Sequence, residues 1–494
     1  MQRRRASSGG RGGWLRGLAA GLAGLGAIEA VASASRSRSF VDAAGQLVVD
    51  LGPRPVVEHT VQLLKTADKP VIRAAVSTAV LTAGGVLGRA QRRPVRDALV
   101  VSAAATAGTA LCRRRTAGGP AGSRGRAASG LAAAGGALTA LGVLAAPSAT
   151  LAPAAIAGAG GLAASLTGQV RHRARQDALS VSRPLRPDHP LPPAEDGAEG
   201  WPGVSPLLTP VEDFYVTDVN MRPPLIDVRR WQLAVTGAVT TPLSLGYDEL
   251  LGLGLVEFDA AMVCIHNRLG WNRLGNARWM GVPLRRLLAA AEPAASGSVL
   301  VTRAVDGWEC SIPTRLLDEL EGYVVVGMAG RALTAAHGFP ARVFLPGVYG
   351  QYTGAKWLTE LRLQAEPNRD YWLPRGWARG PVRVRPLSRI DAPGDRASVP
   401  AGQLTAAGVA WAPPDGLSAV HVAVDDQPWT TAELAAGLSP AAWRRWRAWI
   451  TLTPGRHRLR VRCVARDGVV QDATERAPFP NGTSGYHTIT VTAQ

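Results

Sequence analysis

Cys264 is the residue of this chain whose surroundings best suit chemistry. It stands in Ala261-Met262-Val263-Cys264-Ile265-His266-Asn267-Arg268, where a short apolar run gives way to a polar loop. A thiolate is stable at neutral pH beside positive charge or a metal, and Arg268, Arg273 and Arg278 follow closely. From these residues alone three readings stand: a buried inert thiol, a nucleophile paired with His266 or His337, and a metal ligand. The other cysteines, Cys112, Cys310 and Cys463, are widely separated in sequence. There is no Cys-x-x-Cys, no haem-attachment pattern and no zinc spacing, so any role for Cys264 is exercised singly.

The blocks that follow narrow the choice. Gly275-Asn276-Ala277-Arg278-Trp279-Met280-Gly281-Val282-Pro283-Leu284 comes just after the Cys-x-x-Asn-Arg pattern. Further on, His337-Gly338-Phe339-Pro340-Ala341-Arg342 precedes Pro346-Gly347-Val348-Tyr349-Gly350 and Ala355-Lys356-Trp357-Leu358. In this order they resemble the sulfite oxidase family of molybdopterin-dependent oxidoreductases, over residues 200–380. The resemblance implies a molybdenum–molybdopterin cofactor with Cys264 as the metal's thiolate ligand. It implies Cys264, Arg268 and Arg278 at the catalytic centre, with a buttress of the cysteine's loop as the alternative role for Arg278. For the cofactor it implies Phe214, Tyr215, Asn267, Asn276, His337, Arg342, Gly350 and Lys356. The chemistry agrees: a soft thiolate suits molybdenum. The pterin's phosphate calls for charge-assisted donors, Arg342 as a planar fork and Lys356 as a point charge. Glycine near position 350 lets backbone amides come close.

The departures from the family pattern bear on substrate. Phe214-Tyr215-Val216-Thr217-Asp218-Val219 carries Thr217 where the family has a substrate-side arginine, and Leu269 stands at a second such place. Trp377 takes the position of a substrate-side tyrosine, with Arg375 nearby. If each charged hydrogen bond contributes about 1.5–3 kcal/mol, losing two cations weakens the hold on a small dianion by several. The expectation is two-electron oxygen-atom transfer on a small S- or N-containing substrate, sulfite oxidase-like, with strict sulfite oxidation in doubt and sulfoxide or N-oxide reduction an equal candidate.

The elements that must position these residues begin after a long apolar region. The chain has 494 residues and a net charge of +18, which invites a nucleic-acid reading. The charge is unevenly placed: residues 1–182 carry 23 Lys and Arg against 7 Asp and Glu, residues 183–494 carry 32 against 30. Basic clusters between apolar runs suit lipid headgroups better than a nucleic-acid groove. Residues 1–182 therefore read as a membrane region of four to five transmembrane helices. The candidate spans are 17–35, 71–88, 96–112, 127–147 and 149–170, the last two within a charge-free run from Ala127 to Val170. Glu29 lies inside the first, where a carboxylate is either costly and functional or close to the interface. Counting positive charges leaves the orientation open; the resemblance favours the catalytic domain outside the cytoplasm.

A Pro-rich linker over 171–205 leads to an α+β region, assigned to 183–395. Strands are predicted at Trp231–Val235, Ser298–Arg303, Val324–Gly327 and Arg342–Leu345, and helices at Pro283–Ala291 and Thr314–Leu320. Beyond a junction at 393–398, alternating runs over 402–410, 419–424, 449–453, 457–464 and 487–492 read as an immunoglobulin-like β-sandwich, 396–494. The resemblance makes this a dimerisation-type domain and the chain a homodimer. With no haem-attachment pattern, electrons come from a separate partner, a quinone or cytochrome. Trp443-Arg444-Arg445-Trp446-Arg447-Ala448-Trp449 reads as sandwich strand rather than a stacking platform for nucleic acid. Asn481-Gly482-Thr483 reads as a chance glycosylation sequon. The reading from another class is a membrane-anchored binding or structural protein that keeps the fold without the cofactor.

Overall fold

The computed structural model describes residues 184–494, apart from 219, 221, 354 and 369–371, together with the helix Asp68–Arg89 and scattered single positions before 184. The chain divides into two compact units, residues 1–178 with 218–225, and residues 179–217 with 226–494.

In the first unit, helix α1 spans Asp68–Arg89 and contains the predicted 71–88 span. No described helix is long and apolar enough to cross a membrane. Helix α1 interrupts its apolar residues with Arg73, Ser77, Thr78, Thr82 and the Gly84-Gly85 pair. The buried Asp42 accepts from Arg73 Nε at 2.7 Å and pairs with Arg222 Nε at 2.5 Å. The candidate spans 96–112, 127–147 and 149–170 and Glu29 lie outside the described residues, as does all but single positions of 17–35.

The second unit begins with a sheet of mixed direction. Its members are β1 (Gln232–Gly237) and β2 (Leu243–Gly246), which lead into α2 (Tyr247–Gly252). A second sheet starts with β3 (Val256–Val263) and β4 (Leu274–Pro283), followed by α3 (Leu284–Ala291). Strands β5 (Val299–Ala304) and β6 (Glu309–Pro313) return to the first sheet, and α4 covers Arg315–Glu319. Strands β7 (Tyr323–Met328), β8 (Arg331–Ala332) and β9 (Arg342–Phe344) extend the second. After α5 (Gly350–Thr353), β10 (Leu358–Gln364) completes the first sheet in the order β2-β1-β10-β5-β6. The second runs β3-β4-β7-β8, with β9 also on β7. Strands β3, β4 and β7 are buried almost throughout, which is why they read as apolar runs rather than alternation.

The remaining strands form two sheets around a core of their own. One is β11 (Leu387–Ala392), β13 (Gly402–Trp411), β17 (Arg444–Leu452) and β16 (Glu433–Leu434) in that order. The other is β12 (Ser398–Val399), β19 (His487–Ala493), β18 (Gly455–Ala465), β14 (Leu417–Val424) and β15 (Thr430–Thr431). Strand β18 alternates plainly: Leu459, Val461 and Cys463 face the core while Arg458, Arg460 and Arg462 lie between them. Strand β11 precedes the junction read from the sequence, so this sandwich takes its first strand from residues assigned to the α+β region. The Trp443–Trp449 cluster falls on and beside β17. Trp446 is fully buried, and Arg447 lies between Trp201 and Trp449 at 4.6 and 4.8 Å.

Candidate active site

Cys264 is the first residue after β3, and β4 resumes at Leu274. The loop between is closed on itself. The Cys264 amide donates to Arg273 O at 3.0 Å and the Asn267 amide to Cys264 O at 2.9 Å. Asn267 Oδ1 accepts from the Arg273 amide at 2.9 Å. Thus a polar sequence forms a fixed loop because its own side chain satisfies the amide that reopens the strand.

The thiol sits in competing fields. Burial raises the Cys264 thiol; the Arg273 charge, a backbone contact at His266, and side-chain hydrogen bonds from Thr217 and Arg273 pull it back. Sγ lies 3.9 Å from Thr217 Oγ1 and 3.8 Å from His266 Nδ1. Net, the thiol is raised, the opposite of what an activated cysteine nucleophile needs. A bound metal reverses that balance, because coordination removes the thiol proton outright.

Around it, Phe214, Tyr215, His337, Arg342, Gly350 and Lys356 come together. The Phe214 ring meets His337 edge-on at 5.8 Å and Trp279 at 5.4 Å. His337 Nδ1 is 2.7 Å from Thr334 Oγ1, and its Nε2 is 3.4 Å from Phe214 O. Arg342 donates to His337 O at 3.2 Å and to Met262 Sδ at 3.3 Å. Lys356 Nζ donates to Ala336 O at 2.9 Å. Both cations are buried. Burial pushes the Tyr215 phenol well above 10. Cys264 pushes the same way, while Arg342 and Arg273 oppose it, so all three act on that hydroxyl. A side chain at position 350 would put its Cβ 3.3 Å from Tyr215 Oη and 3.7 Å from Val263 O; glycine lets α5 start against the cysteine strand.

The structure also contains groups that ask for a ligand. Gln351 Oε1 and Nε2 and Thr353 Oγ1, all on α5, are buried with no hydrogen-bond partner among the described residues. Unpartnered buried polar atoms cost about 1–3 kcal/mol each. A polar ligand group reaching α5 would satisfy them, and the set of Cys264, His337, Arg342 and Lys356 is chemically suited to a thiolate-ligated metal on a phosphorylated pterin.

Three of the residues assigned from the sequence have partners elsewhere in the structure. Arg278 does not reach the thiol: its guanidinium forks onto Asp259 at 3.0 and 2.9 Å and donates to Pro192 O. Asp259 is its cross-strand partner, five residues along β3 from Cys264, about 16 Å at strand spacing. Asn276 spends its amide on Leu207 O and on the Trp443 amide, tying three segments together rather than facing the site. Arg268 stacks on Trp271, 5.6 Å from the ring, and the cation acting on the thiol is Arg273. Asn267 acts through its loop ties. Trp377 lies 4.5 Å from the His266 ring, with Trp372 beyond it at 5.8 Å from the same ring. Sequence reasoning missed Gln351 and Thr353. Their signal was position, immediately after the Pro346–Gly350 block.

The comparisons with known proteins agree with this geometry. Residues 220–372 match the family described as oxidoreductase molybdopterin binding domain. Human mitochondrial sulfite oxidase is 27% identical over 341 residues, covering 59% of this chain and 61% of that protein. An uncharacterized oxidoreductase of Bacillus subtilis, YuiH, is 28% identical over 176 residues, covering 35% of this chain and 85% of its own. The sulfane dehydrogenase SoxCD of Paracoccus pantotrophus superimposes with a TM-score of 0.51 at 21% identity, covering 57% of this chain and 83% of that one, a likeness of fold. The fold and site therefore define a molybdopterin-binding oxidoreductase domain. Residues 220–372 are an oxidoreductase molybdopterin-binding domain, and over this region and beyond it the chain is similar to sulfite oxidases. It spans about three fifths of the length of the mammalian sulfite oxidases it matches.

Proposed function

We propose that this chain is a membrane-bound enzyme that transfers an oxygen atom, with two electrons, on a small S- or N-containing substrate of low charge. The observation that carries the reading is Cys264, buried beside Arg273 and Thr217, with Tyr215 under the influence of both Cys264 and the buried Arg342. When bound, the molybdenum–molybdopterin supplies the two-electron couple. Cys264 would hold the metal as thiolate, with Arg273 stabilising that charge. Arg342 and Lys356 would hold the phosphate end, His337 and Tyr215 would contact the pterin, and Gln351 and Thr353 would be the donors and acceptors open to it on α5.

Thr217 supports the substrate class. It lies 3.9 Å from Sγ, on the side where the family resemblance implies an arginine. A hydroxyl there binds a sulfoxide or N-oxide oxygen but does not offset a dianion's desolvation. The balanced reaction takes a sulfoxide, two electrons and two protons to a sulfide and water. The partner that supplies the electrons is a quinone or cytochrome. On this reading the chain sits in the cell membrane as a multi-pass protein with the catalytic domain outside the cytoplasm. The sandwich is an immunoglobulin-like unit through which two chains pair. Support for the anchor is the apolar runs bracketed by arginine clusters.

The test is molybdenum content by mass spectrometry, with released pterin, in wild type and Cys264→Ser from a cofactor-competent host. One molybdenum and one pterin per wild-type chain, with the metal lost in the variant, is the expected result. Turnover is then measured on sulfoxides, N-oxides and sulfite. Wild type holding neither metal nor pterin overturns the proposal in favour of a binding protein.

A further inference from the structure

The loop that carries Cys264 is held from outside the oxidoreductase sheets. Thr483, buried in the segment before β19, donates its hydroxyl to Asn267 O at 2.6 Å. The same Asn267 is bonded to Cys264 O through its amide and to the Arg273 amide through its side chain. Thr483 is itself anchored. Its neighbour Ser484 donates to Thr474 O at 2.6 Å, and Gly485 O accepts from Gln471 Nε2 at 2.7 Å. Gln471 is buried, and its Oε1 accepts from the Cys463 amide at 3.0 Å and from Ser388 Oγ at 2.7 Å, reaching into the sandwich core. A second tie comes from β11, where the buried Arg389 donates to Trp271 O at 3.1 Å. A third is steric: a Cβ on Gly270, whose φ is +74°, would lie 2.3 Å from His487 Nε2.

We infer that the C-terminal sandwich sets the position of the metal-binding thiol, with Thr483 as a positioning residue acting through Asn267. The loop's amides and carbonyls are shared between the two sheet systems, so its shape depends on sandwich residues more than two hundred positions away in sequence. Loss of the Thr483 hydroxyl leaves Asn267 O buried without its donor and loosens the turn between Cys264 and Arg273. The hydroxyl of the sequon's Thr483 is spent inward on the thiol loop.

The inference rests on Cys264 being the functional thiol, and it is tested without turnover. In full-length, cofactor-free protein, bromobimane labelling of Cys264 is timed by peptide mass spectrometry, with the fully buried Cys463 as internal control for unfolding. Thr483→Val is expected to label Cys264 about tenfold faster, roughly the factor one lost hydrogen bond carries, with Cys463 unchanged. Thr483→Ser is expected to restore the wild-type rate. If Thr483→Val does not fold, Arg389→Met carries the same expectation for the same loop. In the loaded protein, molybdenum retention on dialysis falls in Thr483→Val and recovers in Thr483→Ser. A wild-type labelling rate in the folded valine variant overturns the inference. So does equal acceleration at Cys463, or failure of serine to restore. Failure of the metal assignment is separate: it appears as molybdenum retained in Cys264→Ser, whatever the labelling rates.

Discussion

Cys264 and Cys463 are both buried, and burial raises both thiols, yet their surroundings oppose that rise very differently. Cys463 lies on β18 among Leu459, Val461 and Ile489 in the sandwich core, where its own backbone is what lowers it. Cys264 is met by a guanidinium, a hydroxyl and a loop amide. The same desolvation thus yields an inert core atom in one region and a ligand in waiting in the other. Burial is common to functional and structural cysteines; what separates them is the charge and donors arranged around the sulfur.

The comparison is broken most directly by exchanging the two positions' fates. Cys264→Ser is expected to lower bound molybdenum by about an order of magnitude or more, since hard serine oxygen replaces a soft thiolate. Equal metal content in both proteins would put the ligand elsewhere. Next in size is Asp259→Asn, which leaves Arg278 part-buried without its carboxylate and is expected to cost about 3–5 kcal/mol of stability in urea denaturation. The labelling rate of Cys264 in that variant should match wild type, because this ion pair holds strands and does not touch the site. A changed rate would restore Arg278 to the catalytic centre.

A smaller effect comes from the sandwich side of the thiol loop. Burial, with the Arg389 charge, lowers His487 from its ordinary 6.5 to about 4. Below 6.5 the unfolded chain takes up a proton that the folded chain refuses. The contribution is therefore fully present above pH 6.5 and is lost as pH falls toward 4, about 2 kcal/mol by pH 5. Urea denaturation of wild type and His487→Asn at pH 7.5 and 5 isolates it; parallel pH dependence in the two proteins would count against this histidine. Smallest is Cys463→Ala, expected to cost about 1 kcal/mol in the same assay while metal content stays at wild type.

Legibility in the sequence followed distance along the chain. Strands β1, β5, β7 and β9 and helix α3 were readable because each declares itself within a few residues. The first sandwich strand, β11, was missed because Leu387–Ala392 has no alternation of its own; its place is fixed by pairing with β13. The membrane spans were read from composition, and most of them lie outside the described residues.

The sequence by itself determined that Cys264 opens a cationic loop, that His337, Arg342 and Lys356 recur in a block able to bind an anion, and which family the chain resembles. These are local matters of residue type and order, and they survive without knowledge of neighbours. Tertiary structure alone decided which arginine serves the sulfur. Arg268, Arg273 and Arg278 are alike on the page, but strand register gives Arg278 to Asp259 and the loop's closure turns Arg273 toward Cys264. It likewise gave Asn276 to Leu207 and Trp443, and Thr483 to Asn267. Hydrogen bonds and Coulomb interactions act over a few ångströms of space, and spacing along the chain does not report which distant groups folding brings within that reach.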